Sequence, residues 1–173
     1  MGGNNPRKGF DLLIESIKKI DVDFELIIAG DQFPKSLKKE NVKFFDNPKD
    51  LITRRLLYSA SDVLAVPSRE EAFGLVALEA SACNTPSVIF ENNGLSETII
   101  HKKNGYIASK NDINDYANGI FWVFNQIENN DLAFSNCREI VKEKFDINLI
   151  AKDYLKVYEN ILEKSNQLKW KKK

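Results

Sequence analysis

At 173 residues the chain is long enough for one domain with a sizeable core. Twenty-five Lys and Arg balance 25 Asp and Glu, so no net field argues for nucleic acid as a partner. No apolar run reaches the ~18 residues of a membrane span, no signal-peptide pattern opens the chain, and Cys83 and Cys137 lack CxxC spacing; a soluble, cytoplasmic protein with reduced, buried thiols is expected.

Phe10, Leu13, Ile14, Ile17 and Ile20 recur at helical spacing and predict a first helix. Phe24 to Gly30 is a short apolar run ending in Gly30-Asp31, as a buried parallel strand would, with Asp31 read as a turn residue. Val42 to Phe45 predicts a second strand, stopped at Asn47-Pro48, and a helix follows from about Leu51 to Ala60. Val63 to Val66 predicts a third strand closed by Pro67, and Phe73 to Cys83 a helix opened by the Phe73-Gly74 step. Ser87 to Phe90 and Gly105 to Ala108 complete the strands. Only helical patterns remain: Ile113 to Ile127, Leu132 to Phe145, and Ile147 to Lys164 before a KWKKK tail. That tail reads as a solvated end, a membrane-surface contact being the weaker reading. Strands alternating with helices predict an α/β, Rossmann-like parallel sheet with helices on both faces. Ligands of such sheets sit beyond the C-terminal strand ends, where Gly30 and the loop after Val66 lie.

The densest chemistry falls in Ser68 to Phe90, SREEAFGLVALEASACNTPSVIF. Glu71 and Glu79 stand eight residues apart there. As eight helical steps this is a rise of ~12 Å. Two carboxylates that share one glycosidic bond lie roughly 5 to 9.5 Å apart, so the pair is too widely spaced for glycoside hydrolysis. The spacing instead suits a ligand with hydroxyls at both ends and negative charge between them, met by a helix N-terminus. A nucleotide-sugar has that shape. His101, in HKKNG before the last strand, reads as structural or exposed rather than as a base, and Glu70 as solvent-facing. Phe121, Trp122 and Phe124 read as packing residues.

RKGFDLLIESI (Arg7 to Ile17), DFELIIAGD (Asp23 to Asp31), LLYSASDVLAVPSREEAFGLVALEASACNTPSVI (Leu56 to Ile89), NNGLSETI and NGYIA, in this order, resemble the C-terminal, donor-binding domain of retaining GT-B glycosyltransferases of family 4 (group 1). The resemblance covers most of the chain. It implies one nucleotide-sugar donor-binding domain over 1–173, with about 147–173 as a C-terminal helix and tail. It implies catalytic roles for Lys8, on the donor diphosphate, and Glu71, on the hydroxyls of the transferred sugar. Glu79 would take the ribose hydroxyls, and the N–H groups of Phe73, Gly74 and Leu75 the sugar and phosphate oxygens. Gly30 would let the backbone approach the phosphates, and Gly94 would lie near the donor. Residues around Phe45 to Asn47 would neighbour the base. Transfer would proceed with retention and without a metal or cofactor, the nucleotide-diphosphate sugar being substrate. A glycan or lipid-linked acceptor would bind through an N-terminal domain absent here, so the isolated chain is expected to transfer little sugar. The role implied is bacterial surface polysaccharide synthesis, in the cytoplasm or at the inner face of the membrane.

Three departures stand out. Ala72 and Asn84 replace glycines common in the family, and Asn84 tolerates the left-handed geometry a helix cap needs. The third is a strand ahead of the Lys8-Gly9 segment, central in the family's sheet, for which only MGGNNP stands here; Arg7 would stand in for an Arg the family carries nearby. The alternative function is a non-catalytic nucleotide-sugar-binding module or regulatory subunit. A sugar-nucleotide epimerase lacks its acid–base residues, and a nicotinamide-dependent dehydrogenase lacks GxGxxG after a strand.

Overall fold

The computed structural model describes residues 5–30, 41–46, 48–91, 93–130 and 132–170, with only the backbone of 93 and 166–170. Asp31, Asn47 and the KWKKK end beyond Trp170 lie outside the described residues. The chain divides into two compact units, 1–138 and 139–173.

The first unit opens with a 3₁₀ turn, Pro6–Lys8, capped by the Asn5 side chain accepting from the Arg7 N–H. Next come helix α1 (Phe10–Ile17), strands β1 (Leu26–Ala29) and β2 (Val42–Phe45), and helix α2 (Leu51–Ser59). Asp50 caps α2 through the Thr53 amide at 2.7 Å. Strand β3 (Leu64–Val66), helix α3 (Leu75–Ala82), strand β4 (Ser87–Phe90), the short helix α4 (Asn93–Ser96) and strand β5 (Gly105–Ala108) follow. Helix α5 (Ile113–Asn129) closes the α/β part, and α6 (Cys137–Phe145) begins as the first unit ends. The second unit is the rest of α6 and α7 (Ile147–Trp170).

All strand pairs are parallel, as the alternation of elements predicts. They form two sheets, β1–β2 and β3–β4–β5. Among the described residues no ladder joins β1 to β3.

The fold is built around β4, every residue of which is buried. Its alternate side chains face two cores, as a strand covered on both faces requires. Val88 and Phe90 meet Leu13 of α1 and Tyr116, Ile120 and Val123 of α5. Ile89 meets Ala77 of α3 and Leu95 and Ile99 beyond. Helices thus cover both faces. The Tyr116 hydroxyl, fully buried, donates to the Val88 carbonyl at 2.9 Å. Cys137 is buried in the first core, and burial pushes its thiol up to about 12, while Cys83 is only half-buried. Trp122 and Phe124 pack on that core as predicted, whereas Phe121 is exposed.

No described helix is long and apolar enough to cross a membrane.

Candidate functional site

Two left-handed glycines shape the loops at the C-terminal strand ends. Gly9, at φ 63°, ends the 3₁₀ turn and starts α1. Gly74, at φ 81°, starts α3 with no side-chain cap. A Cβ on Gly9 would overlap the Pro67 carbonyl, so the Lys8 segment lies directly on the loop that leaves β3. Two further bonds hold these segments together: the Arg69 amide donates to the Arg7 carbonyl at 2.8 Å, and the Arg69 guanidinium to the Pro6 carbonyl at 2.8 Å. The same guanidinium grips both oxygens of Asp11, at 2.8 and 2.6 Å, and holds its carboxyl below the usual carboxylate range.

This clamp brings Lys8 to Glu71. Their ion pair is 2.5 Å long, with side chains 29% and 18% exposed. The two residues assigned catalytic roles by the family resemblance, 63 positions apart in sequence, therefore share one place. Gly94 joins them, packed so closely on the Ala72 and Glu71 carbonyls that a side chain there would overlap the backbone. Arg7 is exposed on the 3₁₀ turn, and Gly30 ends β1 with its amide on the Phe45 carbonyl at 3.1 Å.

Helix α3 begins at Leu75, so only the last four of the eight steps from Glu71 to Glu79 are helical. The 12 Å rise read from the sequence therefore does not apply; the left-handed Gly74 turns the chain before the helix starts. The two acids pair with different cations, Glu71 with Lys8 and Glu79 with Arg54. Glu79 accepts from Arg54 at 3.1 Å on one oxygen and from the Tyr58 hydroxyl at 2.9 Å on the other. At the mouth of α3 the Ala77 amide is taken by the Gly74 carbonyl. The first N–H groups of α3 carry the positive end of the helix dipole. Leu75 is exposed and Phe73 half-buried.

Sequence reasoning missed three residues. Arg69 lies inside the motif stretch, yet drew no role there. Arg54 and Tyr58 sit four apart on α2, one face of a helix, which is the available signal that they act together. Glu70 is exposed as expected. His101 is also exposed, and its Nδ1 accepts from the Ile107 amide at 3.0 Å, a structural use. Asn84 adopts φ 63°, the left-handed cap expected of it, and its side chain accepts from the Arg138 amide at 2.9 Å.

Residues 1–139 match the family described as glycosyl transferases group 1. The chain belongs to this family. An uncharacterized glycosyltransferase of Methanocaldococcus jannaschii is 34% identical over 167 residues, 93% of this chain and 47% of that protein. Among solved structures, Anabaena HepE in complex with UDP aligns with a TM-score of 0.79 at 24% identity, covering 92% of this chain and 47% of HepE. Sucrose-phosphate synthase of Thermosynechococcus elongatus aligns with a TM-score of 0.79 at 27% identity, covering 94% and 44%. The α/β architecture is thus that of the GT-B glycosyltransferases. This group 1 chain spans about half the length of the relatives it matches.

Two predictions concern how this group 1 site is held together. Arg69→Ala removes the bidentate Asp11 pair and the Pro6 bond. Asp11 is largely exposed, so the expected loss is about 1 kcal/mol, or roughly 2–4 °C in melting temperature. Thermal unfolding followed by circular dichroism measures it. Tyr58 has its hydroxyl pushed up, by burial first and by the Glu79 bond second, from an ordinary value of 10.0. The folded state therefore keeps this proton while the unfolded chain loses it, and stability falls as the pH rises above 10.0 toward the raised value. Tyr58→Phe is expected to flatten that alkaline loss, read by urea unfolding at about pH 9 and pH 11.

Proposed function

We propose that this chain is the donor-binding half of a retaining, metal-independent glycosyltransferase of family 4. It would bind a nucleotide-diphosphate sugar for transfer to a glycan or lipid-linked acceptor held by another domain. The observation that carries the reading is the Lys8–Glu71 pair beside the N-terminus of α3, with Glu79 four residues along that helix. These groups supply, in order, a cation, an acceptor for sugar hydroxyls, a cluster of anion-binding N–H donors, and a second acceptor for ribose hydroxyls. HepE, the structural relative, is complexed with UDP, which supports a nucleoside diphosphate as the ligand class.

Chemically, the departing diphosphate accumulates negative charge as the glycosidic bond to it breaks. Lys8 and the amides of Gly74 and Leu75 are preorganised to stabilise that charge, the kind of electrostatic contribution that dominates many transfer reactions. Glu71, held by Lys8, would orient the sugar. Surface polysaccharide synthesis at the cytoplasmic side of the membrane is the proposed setting.

Calorimetric titration with UDP, GDP, their sugars and uridine tests the assignment. Lys8→Met is expected to weaken UDP by about tenfold or more, the contribution of a charge-assisted hydrogen bond, and to leave uridine unchanged. Equal weakening of both ligands would remove Lys8 from the phosphate site. A sugar-transfer assay set beside nucleotide affinity separates an enzyme from a non-catalytic binding module.

A further inference from the structure

Glu79 is held by two donors that come from the same neighbouring helix. Ala77, Ala80 and Ser81 are buried and anchor α3, while the Glu79 side chain stays 36% exposed. From α2, Arg54 donates to its Oε1 and the Tyr58 hydroxyl to its Oε2. Helix α2 is itself fixed near both ends. Asp50 caps its first turn, and the buried Thr85 hydroxyl donates to the Tyr58 carbonyl at 2.7 Å. Arg54 and Tyr58 also line a cavity of about 560 Å³ together with Lys8 and Glu71, so this group borders the same space as that pair.

The hold has a consequence for what Glu79 can accept. A carboxylate gripped by one donor still turns about its last bond, whose torsional profile is broad. Two donors, one on each oxygen, fix its plane. A carboxylate offers about four lone-pair positions, two on each oxygen. Arg54 and Tyr58 take one apiece, which among the described residues leaves one on each oxygen. Two acceptors side by side match a pair of neighbouring hydroxyls better than a single one. Both donors are also permanent: a guanidinium stays charged, and burial together with the Glu79 bond keeps the Tyr58 proton in place.

A contact that served only to join α2 to α3 would do as well with apolar side chains, which commonly match or exceed a buried ion pair in stability. The buried Arg54 Nε has no acceptor among the described residues, a loss that an aliphatic side chain would avoid. The guanidinium is thus placed for the carboxylate at the expense of its own remaining hydrogen bonds.

We propose that Arg54 and Tyr58 are positioning residues for a ribose diol, an inference that rests on the nucleotide-sugar reading above. They orient Glu79 so that its two open lone pairs accept the 2′- and 3′-hydroxyls together, which makes the site select ribonucleotides over 2′-deoxy and 3′-deoxy forms. Neither residue touches the reacting atoms; both act through Glu79.

Calorimetry on the full chain with UDP and GDP, each beside its 2′-deoxy and 3′-deoxy forms, tests this. The parent is expected to bind the ribonucleotide about tenfold or more tightly than either deoxy form, the contribution of one hydrogen bond to a charged acceptor. Arg54→Met should weaken the ribonucleotide and leave the deoxy forms nearly unchanged, so that the ratio falls toward one. Arg54→Lys, which keeps a cationic donor, should recover most of the preference. Tyr58→Phe loses only a hydroxyl and should lower the ratio as well, which gives a second reading if Arg54→Met folds poorly. Equal weakening of ribo and deoxy forms in the Arg54→Met and Tyr58→Phe variants would mark a structural contact and overturn the inference. A parent that binds both forms alike, while Lys8→Met still weakens UDP, would overturn it and leave the nucleotide reading standing. A parent that binds neither diphosphate would remove that reading and this inference with it.

Discussion

Gly9→Ala is expected to cost about 2–4 kcal/mol of folding stability and to lower the melting temperature by roughly 5–15 °C. Two penalties combine. A φ of 63° is strained for any residue with a Cβ, and the Cβ itself would overlap the Pro67 carbonyl. Neither can be relieved by rotating a side chain, because the obstructing atom belongs to the backbone of the loop after β3. Relief would require the 3₁₀ turn to lift away from that loop, breaking the Arg69–Arg7 and Arg69–Pro6 bonds and carrying Lys8 off Glu71. The variant should therefore lose nucleotide affinity together with stability. Urea denaturation and UDP calorimetry on the same preparation measure both. A melting temperature within about 2 °C of the parent would show that the segment moves freely and that the clamp does not hold Lys8.

Glu79→Ala is expected to weaken UDP binding by about 1–3 kcal/mol, or roughly five- to 150-fold. Its signature should differ from that of Lys8→Met. If Glu79 accepts ribose hydroxyls, UDP and uridine weaken alike, whereas loss of Lys8 spares uridine. The substitution also strips Arg54 and the buried Tyr58 hydroxyl of their acceptor. A stability loss of about 1–3 kcal/mol should accompany it, as for any buried donor left unsatisfied. Glu79→Gln separates the two effects, because it keeps an oxygen for Tyr58 while removing the charge opposite Arg54. Unchanged UDP affinity in both Glu79 variants would remove this residue from the site.

How much of this could be read from sequence follows from how local each cause is. β4 and β5 stand where predicted, because a short apolar run between turn residues is a strand signal carried entirely by its own residues. The pattern from Leu132 predicts a helix there, but α6 starts at Cys137. Side chains intervene there: the Leu132 amide donates to the Asn130 side chain at 3.0 Å and the Ser135 hydroxyl to the Leu132 carbonyl at 2.9 Å, competing for groups a helix would use. Phe24 and Glu25 drop out of β1 because its ladder begins only at Leu26, opposite Val42. In the site, Lys8, Glu71 and Glu79 stood out through the family pattern. Their immediate partners did not, because the Arg69 clamp and the Arg54–Glu79–Tyr58 group form only once distant segments meet. The strands' own residues do not carry the division into two sheets, since pairing depends on register between elements; only the comparison with the family's strand order pointed to it.

The contrast between β4, sealed on every side, and the β1–β2 pair, whose outer strand exposes Phe44 and Phe45, sets a gradient of local stability through the molecule. Two paired strands hold together weakly without further support. Thermal fluctuations will therefore unzip the β1–β2 ribbon at much lower free energy than the three-stranded sheet, which opens only with the whole domain. Gly30 ends that soft ribbon, while Glu71, Gly74 and Glu79 follow from the hard one, so the two flanks of the candidate site rest on ground of unequal firmness.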